Sequence, residues 1–187
     1  GVSSAASDVY KRQHMDGARI WNSIVAKKDN PELYGIYFDT MSVCLSKGLG
    51  CPIGSVLLGK KKFMDKALRI RKILGGGMRQ VGYLAAAGLF ALENNISRLS
   101  EDHIRAKEIA SKFLDKSFVK KINDVETNII IMELNEGFSK KTIIDYFSKN
   151  DLVFDWYSMG PKKIRIVTHL DYSETDHKYL LKIVDKL

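Results

Sequence analysis

The sequence predicts an α/β fold, a larger unit followed by a small C-terminal one. Three observations carry that prediction. Short β-branched and apolar runs alternate along the chain with segments whose apolar residues recur at helical spacing, a pattern that favours layers of sheet and helix. Hydrophobic residues make up 45% of the 187 positions, enough for a packed core and too many for a disordered chain. The composition changes after the helical stretch that ends at Phe118, and a boundary is placed near Ser97–Arg98. Domains are therefore expected over residues 14–98 and 99–187.

Residues 1–13 stand apart. Ser3 to Gln13 has neither periodicity nor capping logic, and it resembles the translation of a transposase sequencing adapter, with Asp8-Val-Tyr-Lys-Arg-Gln13 as its end. We expect this segment to be disordered and foreign to the fold, so that the authentic chain begins in mid-gene at His14.

The remaining elements follow in order. His14–Trp21 reads as a chain just leaving a strand, and Ile20–Ala26 as a short helix. Gly35–Phe38 is a short apolar run. Met41–Ser46 and Pro52–Gly59 read as neighbouring strands that pair. Lys60–Ile73 has Phe63, Ala67, Ile70 and Leu74 at helical spacing and is broken by Gly75-Gly76-Gly77. Gln80–Asn94 is apolar nearly all round, so a buried helix is expected. After a bend at Asn94-Asn95, an amphipathic helix is expected over Ser97–Phe118. Val125–Leu134, Leu152–Phe154 and Lys163–Thr168 read as strands. Ser139 and Ser173 are the expected caps of helices over Ser139–Asn150 and Glu174–Lys186.

Charge and composition exclude several classes. The net charge is +8 and the pI about 9.4, which could suit nucleic acid or anionic membrane. The basic residues are nonetheless scattered among acidic ones without interleaved aromatics, so we read a solvated surface and expect no nucleic-acid partner. No apolar run reaches the roughly eighteen residues that a membrane span needs, and no signal peptide is visible. Cys44 and Cys51 lack metal-ligand spacing to histidine and read as small core residues in a reducing, cytoplasmic compartment. No metal site is expected.

The candidate chemistry starts at Lys47. It ends the run Met41–Ser46 and precedes Gly48-Leu49-Gly50, placing it where a strand stops and backbone can approach a ligand. A desolvated lysine loses part of its preference for the charged form, and a neutral amine condenses with an aldehyde. Taken alone, Lys47 reads as a surface lysine capping a strand. Asp16-Gly-Ala-Arg19 alone is a turn with a surface ion pair, and Gly75–Gly77 alone a flexible loop. Arg165 alone could snorkel or pair with Asp171, and His103 and His169 read as structural.

Four segments change these readings when taken in order: His14-Met-Asp16-Gly-Ala-Arg19, Leu45-Ser-Lys47-Gly-Leu-Gly50, Gly75-Gly-Gly-Met-Arg79-Gln80 and Arg165-Ile-Val-Thr-His169-Leu-Asp171. Together they resemble low-specificity L-threonine aldolases, pyridoxal-phosphate enzymes of fold type I in the aspartate-aminotransferase superfamily. The resemblance runs from His14 to the C-terminus. It implies the C-terminal part of the large cofactor domain, followed by the small C-terminal α/β domain. It implies retro-aldol cleavage of L-threonine or L-allo-threonine to glycine and acetaldehyde. By the same resemblance Lys47 is the Schiff-base lysine and Asp16 a buried partner of the pyridine nitrogen. Arg19 and Arg165 are the binders of the substrate carboxylate, and Arg79, with Lys72 less directly, lies near the cofactor phosphate across a subunit interface. The family's cofactor-stacking histidine and phosphate loop precede the aspartate, so the chain as written is expected to hold pyridoxal 5'-phosphate poorly and to be inactive. A homodimer or homotetramer is implied for the full-length enzyme. The alternatives are another fold-type-I lyase or aminotransferase and, more remotely, a basic nucleic-acid-binding module.

Overall fold

The computed structural model of the chain describes residues 11–153 and 159–187. Two compact units meet in sequence between Ser97 and Arg98.

The first unit is built on a three-stranded sheet in the order β1-β2-β3. Strand β1 (His14–Gly17) leads through Arg19 into helix α1 (Ile20–Lys27) and then α2 (Glu32–Tyr37). Strand β2 (Thr40–Cys44) returns parallel to β1, with Asp16 opposite Ser42 and Gly17 opposite Val43. Strand β3 (Ser55–Gly59) pairs antiparallel to β2. Helices α3 (Lys61–Ile73) and α4 (Gly82–Asn94) follow. Ile20, Ile24 and Val43 form the small core between α1 and the sheet, with Met15, Trp21, Tyr34 and Met41 packed around them. Gly17 permits the close approach of β1 to β2: a Cβ there would lie 2.8 Å from the Ser42 carbonyl oxygen.

The second unit is an antiparallel sheet in the order β4-β5-β6, with helices on one face. Helix α5 (Leu99–Leu114) leads to β4 (Val119–Ile122) and β5 (Ile129–Leu134), then α6 (Lys140–Ser148), β6 (Lys163–Val167) and α7 (Glu174–Asp185). Alternation sends Ile130, Met132 and Leu134 of β5 and Ile164 and Ile166 of β6 into one core. That core also takes Ile109 and Phe113 of α5, Ile143 and Phe147 of α6, and Leu180, Ile183 and Val184 of α7. Phe113 meets Phe118 and Phe147 edge-on at 6.1 and 6.0 Å between centroids, the arrangement the ring quadrupoles favour.

Both serine caps form. The Ser139 hydroxyl oxygen accepts from Thr142 N, and Ser173 makes a reciprocal capping box with Asp176. Other expectations are corrected. The Ser97–Phe118 helix stops at Leu114, and an edge strand, β4, begins five residues later with Lys120 and Lys121 facing water. Lysines on an edge strand discourage pairing with other chains; in the sequence they pass for ordinary surface charge. Leu152 and Val153 belong to no strand, and Phe154 lies outside the described residues.

The largest correction concerns α4. Only Gly88 and Ala91 are buried, while Tyr83, Leu89 and Phe90 are exposed. An apolar helix is buried only where neighbours surround it, and the described residues cover one side. Residues 1–10 of the adapter-like segment lie outside the described residues; Gln13 accepts from Asp39 N at 3.0 Å and from Thr40 N at 3.3 Å.

Candidate functional site

Strands β1 and β2 run parallel, so both leave the sheet at the same edge. That is where ligands bind in sheets of this kind, beyond the carboxyl ends of the strands. Asp16 lies next to the end of β1, and Lys47 lies three residues past Cys44, the end of β2. The fold therefore brings Asp16 and Lys47 to one edge, with Arg19 at the mouth of α1 immediately after.

The Asp16 Oδ1 atom accepts a hydrogen bond from Ala18 N at 3.0 Å, a local turn that fixes the carboxylate. Arg19 precedes the first residue of α1 and its carbonyl oxygen accepts from Ser23 N at 3.3 Å.

Lys47 sits on a tightly organised loop. Gly50 N donates to the Lys47 carbonyl oxygen at 2.9 Å, and the turn requires Gly50 at φ 72°, where glycine alone is unstrained. Leu45 N and Ser46 N both donate to the Gly54 carbonyl, at 3.0 and 3.3 Å. Leu49, fully buried, plugs the loop from below, and its carbonyl accepts from Asn95 Nδ2 at 2.8 Å. The buried Cys51 thiol donates to the Ala87 carbonyl at 3.6 Å, and burial pushes that thiol's pKa up. A Cβ on Gly88 would stand 3.2 Å from Leu45 Cδ1. Helix α4 thus uses its small residues as a seat for the Lys47 loop. Sequence reasoning missed Asn95, Gly88 and Cys51 as loop supports. The signals were the small residues within an apolar helix and the Asn94-Asn95 pair at its end.

Two expectations about solvation are corrected. Lys47 and Asp16 are both exposed, where a desolvated amine and a buried carboxylate were expected. The physical reason is that no described element lies over this edge of the sheet. Among the described residues the Lys47 amine has no hydrogen-bonding or ionic partner and is open to solvent.

Arg79 is exposed in the segment between α3 and α4, and Lys72 is exposed near the end of α3. The structure does not bring either onto the β1–β2 edge through any bond among the described residues. Arg165 belongs to the second unit. It lies on β6 opposite Ile131 of β5 and faces away from the core that holds Ile164 and Ile166. Ile129, Ile131 and Val167 are half-buried on the same face. Among the described residues its guanidinium has no ion pair. Asp171, weighed as its partner, instead stands 3.8 Å from His169. A half-buried guanidinium without an ion pair suits a carboxylate, which it can grip with two parallel hydrogen bonds.

Among the described residues no group of three or more histidine, cysteine or acidic side chains could hold a metal ion, and no helix is long and apolar enough to cross a membrane.

Residues 2–136 match the model of the beta-eliminating lyase family. The chain belongs to that family. Among curated relatives, the low specificity L-threonine aldolase of Escherichia coli strain K12 is 38% identical over 160 residues, covering 86% of this chain and 46% of the relative. The low-specificity L-threonine aldolase 1 of Arabidopsis thaliana is 37% identical over 171 residues, covering 90% of this chain and 47% of the relative. This beta-eliminating lyase chain thus spans about half the length of the curated relatives it matches. The solved threonine aldolase of Leishmania major superimposes with a TM-score of 0.69 at 12% identity, over 94% of this chain and 52% of that one. The histidinol-phosphate aminotransferase of Clostridium acetobutylicum gives 0.62 at 15% identity, over 97% and 57%. These likenesses establish a fold shared by threonine aldolases and aminotransferases, as the α/β expectation had it.

Proposed function

We propose that the whole protein to which this chain belongs is a pyridoxal-phosphate-dependent aldehyde-lyase that cleaves L-threonine or L-allo-threonine to glycine and acetaldehyde. One observation carries the reading: an unpaired lysine amine and an aspartate carboxylate stand at the same edge of a parallel strand pair, in a chain of the beta-eliminating lyase family. The donor set fits the cofactor. An unpaired amine matches an aldehyde carbon, and a carboxylate with one oxygen tied to Ala18 N keeps the other for a ring N–H.

The residues divide the work between them. Lys47 Nζ is the group that would hold the cofactor through its aldehyde carbon. Asp16 holds a proton at the ring nitrogen, because an opposite charge within reach favours the charged form. Arg19 and Arg165 are the proposed binders of the substrate carboxylate. Fixing the carboxylate fixes rotation about the bond to Cα, which selects the Cα–Cβ bond for cleavage over Cα–H. Bound there, pyridoxal phosphate supplies the electron sink for the pair left on Cα when that bond breaks. Arg79 is the proposed phosphate ligand of a neighbouring subunit in a homodimer or homotetramer, and the enzyme is cytoplasmic.

The test is to supply the whole protein with pyridoxal phosphate and L-threonine and to measure acetaldehyde and glycine. Lys47→Ala should abolish both products and the visible absorbance of lysine-bound cofactor. Amino transfer to a 2-oxo acid without acetaldehyde would make the protein an aminotransferase. Salt-sensitive DNA binding indifferent to Lys47→Ala would overturn the enzyme reading altogether.

A further inference from the structure

Beyond the site, the second unit contains a buried polar network with no place in the chemistry so far. Thr168, Asn128 and Asp102 are all but fully buried. Thr168 follows β6 directly and Asn128 precedes β5 directly, one step past the last ladder pair, Ile129 opposite Val167. Thr168 N donates to the Asn128 carbonyl at 3.1 Å, and Asn128 Nδ2 donates to the Thr168 carbonyl at 2.7 Å. These two bonds close the end of the ladder. The Thr168 hydroxyl then reaches out of the sheet and donates to the Asp102 carbonyl of α5 at 2.7 Å. The Asp102 carboxylate takes both terminal nitrogens of Arg98, at 2.8 and 3.2 Å. Arg98 is the first residue of the second unit.

We propose that Thr168 is a positioning residue for Arg165. The inference rests on the proposed role of Arg165 as the substrate-carboxylate clamp. Arg165 lies on the same strand, three residues before Thr168, and Ile164 and Ile166 beside it are held in the core. The far end of that short strand is held by the Thr168–Asn128 pair and by one hydroxyl bond to α5. Without the hydroxyl, the end of β6 keeps its ladder but loses its tie to the helix, and the guanidinium is free to shift along the face. A bidentate grip on a carboxylate needs both nitrogens in place, so a small displacement weakens it. The threonine side chain suits this position, since its methyl group packs in the buried site and its hydroxyl serves one carbonyl. Valine has the same shape without the donor. The Asp102 carbonyl belongs to a helix and retains its helical role when the hydroxyl is gone.

The experiment uses the whole protein, loaded with pyridoxal phosphate, and compares Thr168→Val, Thr168→Ala, Thr168→Ser and Arg165→Lys. Thr168→Val and Thr168→Ala should each raise KM for L-threonine about tenfold while kcat and the lysine-bound cofactor absorbance stay within twofold of the parent. Thr168→Ser, which keeps the hydroxyl, should restore KM to near the parent value. Arg165→Lys should raise KM at least as much as Thr168→Val. If Arg165→Lys raises KM but Thr168→Val and Thr168→Ala match Thr168→Ser, positioning by Thr168 is overturned and the clamp stands. If Arg165→Lys leaves KM unchanged, the clamp itself is lost and the inference falls with it. A fall in kcat and cofactor absorbance without a rise in KM would show a merely structural threonine and would also overturn it.

Discussion

Replacing Gly17 by alanine tests whether the β1–β2 edge depends on close backbone contact. The new Cβ would stand 2.8 Å from the Ser42 carbonyl oxygen, nearer than real Cβ atoms come. Its other near neighbours, Met15 Cε at 3.4 Å and Ile20 Cβ at 3.5 Å, are ordinary contacts. The oxygen belongs to the backbone of β2, which is hydrogen-bonded to strands on both sides, so it cannot swing aside as a side chain would. Restoring an ordinary contact needs about 0.6 Å of separation between the strands, and forced overpacking of this kind costs about 1–3 kcal/mol. Gly35 is the control. It lies in α2 with nothing within 4 Å of its would-be Cβ, so alanine there should stabilise by about 0.4–1 kcal/mol through the unfolded chain. Urea unfolding followed by Trp21 fluorescence, with Trp156 replaced by phenylalanine, reports the first unit. Gly17→Ala should lower the midpoint and Gly35→Ala raise it, with unchanged m. A Gly17→Ala protein as stable as its parent would refute the claim that this edge is held by strand contact at Gly17.

Four further outcomes are expected. Ser173→Ala removes the hydroxyl acceptor of Asp176 N at 3.2 Å and should cost the second unit about 1 kcal/mol; a loss below about 0.3 kcal/mol by urea titration would show the cap idle. Burial holds the His103 imidazole below its ordinary 6.5, Lys107 adding to this and Asp102 opposing it. The unfolded chain therefore binds the proton first, so this stability is whole above pH 6.5 and lost as pH falls through the folded value. His103→Gln should flatten the profile of urea midpoint against pH in that window, and an unaltered slope would exclude the histidine as its source. Iodoacetamide should label half-buried Cys44 before buried Cys51 in the native protein, since Cys51 is both covered and raised in pKa; equal rates would count against the loop packing. Hydrogen exchange should be slowest in β5 and α5, which give Ile130, Met132, Leu134, Ile109 and Phe113 to the core, and fast in β3, exposed along its length; a protected β3 would contradict the observed exposure.

Much of the fold was legible because its signals are local. Ser139 and Ser173 announced the starts of α6 and α7, and the alternation in Lys163–Thr168 announced β6. The glycine pair after Lys47 announced a loop at a strand end. The misreadings came from signals that are not local. Strand β4 is four residues with two lysines, too short and too charged to stand out until β5 pairs with it. One local signal was also passed over: helix α2 follows Asn30-Pro31, where the Asn30 side chain accepts from Glu32 N at 3.0 Å, while the sequence was read only as a short apolar run over Gly35–Phe38. Of the candidate site, the order of Asp16, Arg19 and Lys47 was visible. The seat of the Lys47 loop on Gly88, Cys51 and Asn95 joins positions about forty residues apart, and no periodicity reports such contacts.

The two corrections about burial have one cause. Val56, Leu57 and Leu58 of β3 form a continuous apolar run, the pattern of a strand covered on both faces, yet all three are exposed. Helix α4 is apolar nearly all round and is covered on one side. Lys47 and Asp16 stand open at the edge of the same sheet. The sequence of the first unit is thus written for more covering than the described residues provide, and the second unit, with its closed core, is not. The amine and the carboxylate thus stand at one edge of the sheet, and the described residues leave both uncovered. Expressed alone with pyridoxal phosphate, this chain should develop little of the yellow colour of lysine-bound cofactor. A strong, stable colour lost on Lys47→Ala would mean that the edge is already a sufficient pocket.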